Sequence, residues 1–203
     1  MTDPGPPISL PAMMTATRKE LIQLLIQTKA FKTSPTPTFR LASGEMSSFY
    51  IDCRVGLSHA EVRQIVGEMI LDLVQTPVDA VGGLLIGAYP IAIAVSDAAY
   101  KKNGQNLRAF AVRKEPKPHG LGKLIEGDVA KGDRVLIVDD VITSGKSTIE
   151  AIRKCREEGL QVSQAIGIID REEQDGRKRI EEEGVRFAAL CTLRELREST
   201  GAQ

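Results

Sequence analysis

Residues 135 to 147 read VLIVDDVITSGKS. An apolar run ends in two adjacent carboxylates, Asp139 and Asp140, followed by Val141 and Ile142. The small residues Thr143, Ser144 and Gly145 then lead into Lys146 and Ser147, where a helix is expected to start. Such a loop leaves backbone N–H groups unpaired, and with the positive end of a helix dipole they form an anion site. The hydroxyls of Thr143, Ser144 and Ser147 add donors. Carboxylates repel a phosphate, so Asp139 and Asp140 suit the hydroxyls of a ribose whose 5′-phosphate lies in the loop. They also suit Mg²⁺ held mainly by a pyrophosphate and water. A phosphorylated sugar activated as a pyrophosphate accounts for both halves. An ATP-binding P-loop is excluded, because that motif needs glycine where Asp140 stands. An ordinary helix cap and turn is the competing reading.

A second cluster follows the apolar run that ends at Val112. RKEPKPHGLGK carries Arg113, Lys114, Lys117, His119 and Lys123 among two prolines and two glycines. That composition excludes regular structure and suggests a mobile lid that offsets charge on a leaving pyrophosphate. A plain solvated basic loop is the alternative. GGLLIGAYPIA at Gly82 to Ala92 can offer backbone amides or be a simple strand-to-helix turn. Arg171, after another apolar run, can grip a carboxylate with two parallel donors, or pair with Glu172 or Glu173.

The elements that must position these residues read as an α/β chain. Helical spacing of apolar residues predicts helices over 18–31 and 59–75, with further helices over 90–102, 146–158 and 176–183. Short β-branched strands are expected at 78–81, 107–112, 135–138, 162–169 and 185–190, and a hairpin at 39–54. Strand-helix alternation implies a mostly parallel central sheet flanked by helices on both faces, with ligands at the carboxyl ends of the strands. The expected organisation is a flexible leader over 1–17, marked by Pro4, Pro6, Pro7 and Pro11, and a single domain over 18–198. About 18–56 reads as a small N-terminal helix-and-hairpin unit, here called the hood. Lys plus Arg and Asp plus Glu are both 27, so nothing in the charge favours nucleic acid or an anionic membrane as partner. Cys53, Cys155 and Cys191 lack any metal or disulfide spacing and read as reduced, buried thiols of a cytoplasmic protein. His59, at a helix start, reads as a cap or surface residue.

The 135–147 segment resembles the phosphoribosyl pyrophosphate (PRPP) signature of the type I phosphoribosyltransferases. The pattern R-K-x-x-K-x-H-G from Arg113 is similar to the catalytic loop of the orotate phosphoribosyltransferases, and the likeness extends over about residues 20 to 195. The resemblance implies that residues Asp139 through Ser147, with Arg113, Lys114, Lys117 and His119, bind PRPP. It implies that Lys117, His119, Arg113 and Asp140 carry the catalysis, with Lys117 the most costly to lose. By the same likeness, Arg171 and Thr143 hold the carboxylate of orotate, with Phe49 and Tyr50 on the covering hairpin. The implied cofactor is Mg²⁺, and the implied assembly is a homodimer whose loop closes over the neighbouring subunit's site. Some relatives carry lysines where this chain has Ala42 and near Gly87, so those contacts are absent or replaced. The rivals are a purine or uracil phosphoribosyltransferase, against which Arg171 and the basic loop argue, and a PRPP-sensing regulator, for which no DNA-binding pattern is present.

Overall fold

The computed structural model describes residues 12–40, 44, 46–115 and 124–201, with side chains from residue 17. Its centre is a six-stranded sheet in the order β10-β9-β8-β5-β6-β7. These strands span Arg186–Thr192, Gln161–Asp170, Arg134–Ile142, Ala80–Leu84, Arg108–Val112 and Ile125–Glu126. All pairings are parallel except that of the short edge strand β7 with β6. Sequence order reverses around β5, which lies between β8 and β6. In an open α/β sheet that switch point is where a crevice opens beyond the strand ends.

Both faces of the sheet are covered, as the apolar strands require. On one side lie α1 (Ala12–Gln27), α3 (Ala60–Leu73), α4 (Ala88–Asn103) and α7 (Leu193–Thr200), whose Leu21, Val66, Ile91 and Leu196 join one buried cluster with Val81, Leu136 and Ile168. On the other side α5 (Lys146–Glu157) and α6 (Gly176–Glu181) bury Ile149, Ile152, Cys155 and Ile180 against Ile137 and Val162. The hood is two small antiparallel ribbons. β1 (Phe31–Thr33) pairs with β4 (Phe49–Ile51), and β2 (Phe39–Arg40) pairs with β3 (Met46–Ser47). A short helix, α2 (Cys53–Leu57), joins the hood to α3. Phe31, Cys53 and Leu57 belong to the same cluster as the sheet, so hood and sheet share one core.

Several boundaries differ from expectation for identifiable reasons. The first helix ends at Gln27, where Thr28 donates its hydroxyl to the Leu24 carbonyl and Lys29 takes a positive φ of 62°; Phe31 is therefore a strand residue. That helix starts at Ala12, inside the segment expected to be a leader, while residues 1–11 lie outside the described residues. Gly82 and Gly83 are not turn residues. They sit inside β5, where a Cβ on Gly83 would come within 2.2 Å of the Val138 carbonyl oxygen. Glycine here serves close packing of neighbouring strands. The buried side chain of Gln164 on β9 ends α3 by donating to the Leu73 carbonyl at 2.8 Å and accepting from the Gln75 amide at 3.2 Å. The helix α7 was not expected, although Thr192 and Glu195 form a capping box that the sequence T-L-R-E displays.

Candidate active site

β8 runs four residues beyond its expected end, through Asp139 and Asp140 to Ile142. Successive strand residues face opposite sides, and the two carboxylates consequently meet different surroundings. Asp139 is only 5% exposed and accepts the Thr148 hydroxyl at 2.8 Å and the Asp140 amide at 3.0 Å. Burial pushes its carboxyl up to about 6, with the Asp140 charge adding to the shift and the hydroxyls of Thr148 and Ser147 opposing it. Asp140 is half-buried and lies against the turn that follows β5, where a Cβ on Gly87 would fall 2.8 Å from its carboxylate carbon. That turn contains a cis peptide between Leu85 and Ile86. Asp140 is thus the carboxylate presented to the crevice, while Asp139 is an internal support held by α5.

The Thr143–Gly145 loop is gripped from outside by α6. A Cβ on Gly176 would stand 2.3 Å from the Thr143 carbonyl oxygen, and one on Gly145, which has φ 71°, would stand 2.9 Å from the Gly176 carbonyl oxygen. Arg179 donates to the Ser144 carbonyl at 2.9 Å. A trans peptide points its N–H opposite to its C=O. With the carbonyls of Thr143 and Ser144 turned toward α6, the amides of Ser144 and Gly145 are turned to the other side. Amides turned this way at the start of α5 can receive an anion.

Arg171 follows β9, and its amide donates to the Ile142 carbonyl at 2.9 Å, placing it one strand from the loop. Its guanidinium carbon lies 5.7 Å from the centre of the Phe49 ring on the hood. Its Nε is 3.0 Å from one Glu173 carboxylate oxygen, without hydrogen-bond alignment, and an Nη donates to the other oxygen at 3.3 Å. The pairing with Glu173 that the sequence left open is therefore present, whereas Glu172 pairs with Arg194. Tyr50 stacks on Phe39 at 6.0 Å. The hood is anchored beside the acidic pair, with the Cys53 thiol 3.9 Å from the Asp140 carbonyl oxygen.

Of the basic segment, Arg113 and Lys114 are described, while Lys117, His119 and Lys123 lie outside the described residues, as does Ala42. Arg113 reaches toward Glu126 at 3.5 Å, and Lys114 is exposed. Lys146 is exposed and Ser147 half-buried at the start of α5. His59 occupies the N-cap position of α3 without a side-chain capping bond. All three cysteines are buried, and burial raises every thiol, Cys155 and Cys191 to about 12, so none is poised as a nucleophile. Thr148, Gly176 and Arg179 were not singled out by sequence. Thr148 adjoins the signature, but its inward rotamer is set by packing, and α6 reaches the loop only through the fold.

If Asp139 must be ionised to accept both its donors, turnover should decline as pH falls through about 6. Removing a donor to the charged form raises a carboxyl pKa. Thr148→Val should therefore move that acid limb upward by about one pH unit. A pH profile with the limb unmoved or displaced downward would show that Asp139 does not set it.

The orotate phosphoribosyltransferase of Aquifex aeolicus is 38% identical over 185 residues, covering 90% of this chain and all of that protein. The orotate phosphoribosyltransferase of Synechocystis is 35% identical over 200 residues, 98% of each chain. Among solved structures, the Mycobacterium tuberculosis orotate phosphoribosyltransferase in complex with PRPP matches with a TM-score of 0.70 and 28% identity, over 89% of this chain and 92% of that one. No family model matches the chain.

Proposed function

The chain belongs to the orotate phosphoribosyltransferase family, and from that membership we propose that it transfers the 5-phosphoribosyl group of PRPP to N1 of orotate. The products are orotidine 5′-monophosphate and pyrophosphate, in pyrimidine biosynthesis. The observation that carries the reading is an externally braced loop one strand from a buried arginine that already holds a carboxylate, that of Glu173, with two prongs.

In this reading the 5′-phosphate lies on the amides and hydroxyls of Thr143 to Ser147, and Asp140 accepts the ribose hydroxyls. The pyrophosphate lies along the Leu85–Gly87 turn. Arg171 exchanges Glu173 for the carboxylate of orotate, a planar acceptor that suits its donors. The Thr143 hydroxyl joins it, and Phe49 and Tyr50 cover the ring. The C1′–O bond breaks with its electrons leaving on pyrophosphate, N1 of orotate forms the new bond from the opposite face, and the N1 proton passes to the departing pyrophosphate or to water. Arg113, Lys114, Lys117 and His119 offset the charge that builds on the leaving group. No protein nucleophile is needed; positioning and charge do the work. Asp140, and Asp139 behind it, are hard oxygen donors that fit Mg²⁺ held mostly by the pyrophosphate and water. Mg²⁺, when bound, would spread the leaving group's negative charge.

The homodimer reading draws support from α4. Tyr89, Ile93 and Tyr100 are exposed along α4, with Ile86 exposed in the turn before it, and Arg63, Glu68, Asp97 and Lys101 line the adjacent groove with balanced charge. A two-fold contact must be self-complementary, and an apolar stripe flanked by both signs of charge meets that need. The stripe begins in the turn beside Asp140, so a second copy seated on it would lie next to the site. Ile93→Asp should convert the dimer to monomer in sedimentation and abolish turnover with it. A monomeric, fully active variant would remove the shared-site reading.

No helix among the described residues is long and apolar enough to cross a membrane, and the reduced, buried thiols suit the cytoplasm. Chromatography of a reaction mixture tests the proposal. Orotidine 5′-monophosphate should form only when PRPP, orotate and Mg²⁺ are all present, and its absence under those conditions would overturn it.

A further inference from the structure

Lys154, on α5, is remote from the phosphate loop in sequence and is not part of the signature. Its ammonium donates to the Arg113 carbonyl at 2.9 Å, to the Lys114 carbonyl at 2.6 Å and to a Glu150 carboxylate oxygen at 2.6 Å. An ammonium has three donors, and all are used here. The side chain is only 15% exposed. Its two carbonyl acceptors are consecutive and belong to the residues with which the basic segment begins. The opposite end of that segment is tied at the same level, where the Arg113 amide donates to the Leu124 carbonyl at 2.8 Å. The helix that presents the phosphate loop at its first turn thus holds the root of the basic segment two turns later.

Building on the proposed transfer reaction, we infer that Lys154 is a positioning residue that fixes the backbone of Arg113 and Lys114, at the root of the basic segment. A helix-surface pair with Glu150 alone would need none of the carbonyl contacts. Nor would such a pair account for a charged group committed to a neighbouring loop's backbone rather than to solvent. The lysine's compact charge on a flexible stem lets one atom satisfy converging carbonyls, which the flat fork of an arginine does less well.

Lys154→Met keeps the apolar stem and removes the donors, and Glu150→Gln removes only the ion pair. In Lys154→Met, kcat at saturating PRPP and orotate should fall about tenfold or more through misplacement of groups near the leaving oxygen. Glu150→Gln should stay near wild type, and Lys154→Arg should recover part of the loss. Ribose 5-phosphate, measured by calorimetry, should bind Lys154→Met and Glu150→Gln within about twofold of wild type, since its loop is braced by α6 instead. Trypsin attacks the Lys114–Glu115 bond at the carbonyl that Lys154 holds, so cleavage there, followed by mass spectrometry, should accelerate in Lys154→Met. The inference is overturned if either kcat or cleavage at Lys114 stays at the wild-type value. It is equally overturned if ribose 5-phosphate affinity falls in step with kcat, which would assign Lys154 to support of the phosphate loop. Wild-type protein that fails to convert orotate would remove the proposed reaction, while the cleavage comparison would still decide the role of Lys154.

Discussion

Gly176→Ala is expected to raise the dissociation constant for ribose 5-phosphate about a hundredfold, which corresponds to about 2.7 kcal/mol. The added methyl carbon would sit 2.3 Å from the Thr143 carbonyl oxygen and 3.1 Å from an Ile142 methyl. No real contact is that short, and the obstacle is backbone, so either α6 or the loop must move. Overpacking of this kind costs about 1–3 kcal/mol in a well-packed region. Movement of the loop rotates the peptide whose carbonyl faces α6, and with it the amide that faces the phosphate. Movement of α6 withdraws Arg179 from the Ser144 carbonyl and loosens the same peptide from the other side. Both routes spoil the donors that a 5′-phosphate needs. Calorimetry with ribose 5-phosphate checks this on protein shown to be folded by circular dichroism. A folded variant with wild-type affinity would mean that the brace does not shape the loop.

The second large effect is expected at Arg171. Arg171→Leu should lower kcat/KM for orotate about a hundredfold, because a charge-assisted pair to a desolvated carboxylate contributes about 1.5–3 kcal/mol. The loss should appear in kcat/KM for orotate and leave the affinity for ribose 5-phosphate unchanged, since Arg171 touches the phosphate loop only through its backbone amide. Glu173 loses its partner in the variant, so Arg171→Leu with Glu173→Leu separates the two effects. If Glu173 merely competes with the substrate, the double variant remains as poor an enzyme as the single one. Near-normal use of orotate by Arg171→Leu would remove Arg171 from the base pocket.

Much of this architecture is readable from residue types. The alternation of β-branched runs with amphipathic helices sets the parallel sheet, and the D-D-x-x-T-S-G order sets the loop at the end of its central strand. Arg171 is legible because its strand, too, ends at the crevice. What escapes the sequence depends on contacts between distant segments. Gly82 and Gly83 look like a turn because glycine breaks strands on average. Here the neighbouring Val138 and Phe110 leave no room for a side chain, so glycine permits the strand. Asp139 and Asp140 look equivalent until the strand's alternation sends one under Thr148 and the other to the Gly87 turn. Lys154 and Arg179 are ordinary helix-surface cations by spacing, and only the fold brings them to the carbonyls of Arg113, Lys114 and Ser144. The α7 helix was missed although its signal is local, a Thr and a Glu three apart that form a capping box.

In the proposed reaction orotate is the base transferred to the sugar held at 139–147, and the basic segment supplies charge at the leaving group. Ultraviolet absorbance in the presence of PRPP and Mg²⁺ tests it directly, with orotate, uracil, adenine, hypoxanthine and xanthine in parallel. Consumption of orotate alone is expected, reduced about a hundredfold or more in Lys117→Ala. Turnover of another base in place of orotate, or of none while PRPP still binds, would contradict it.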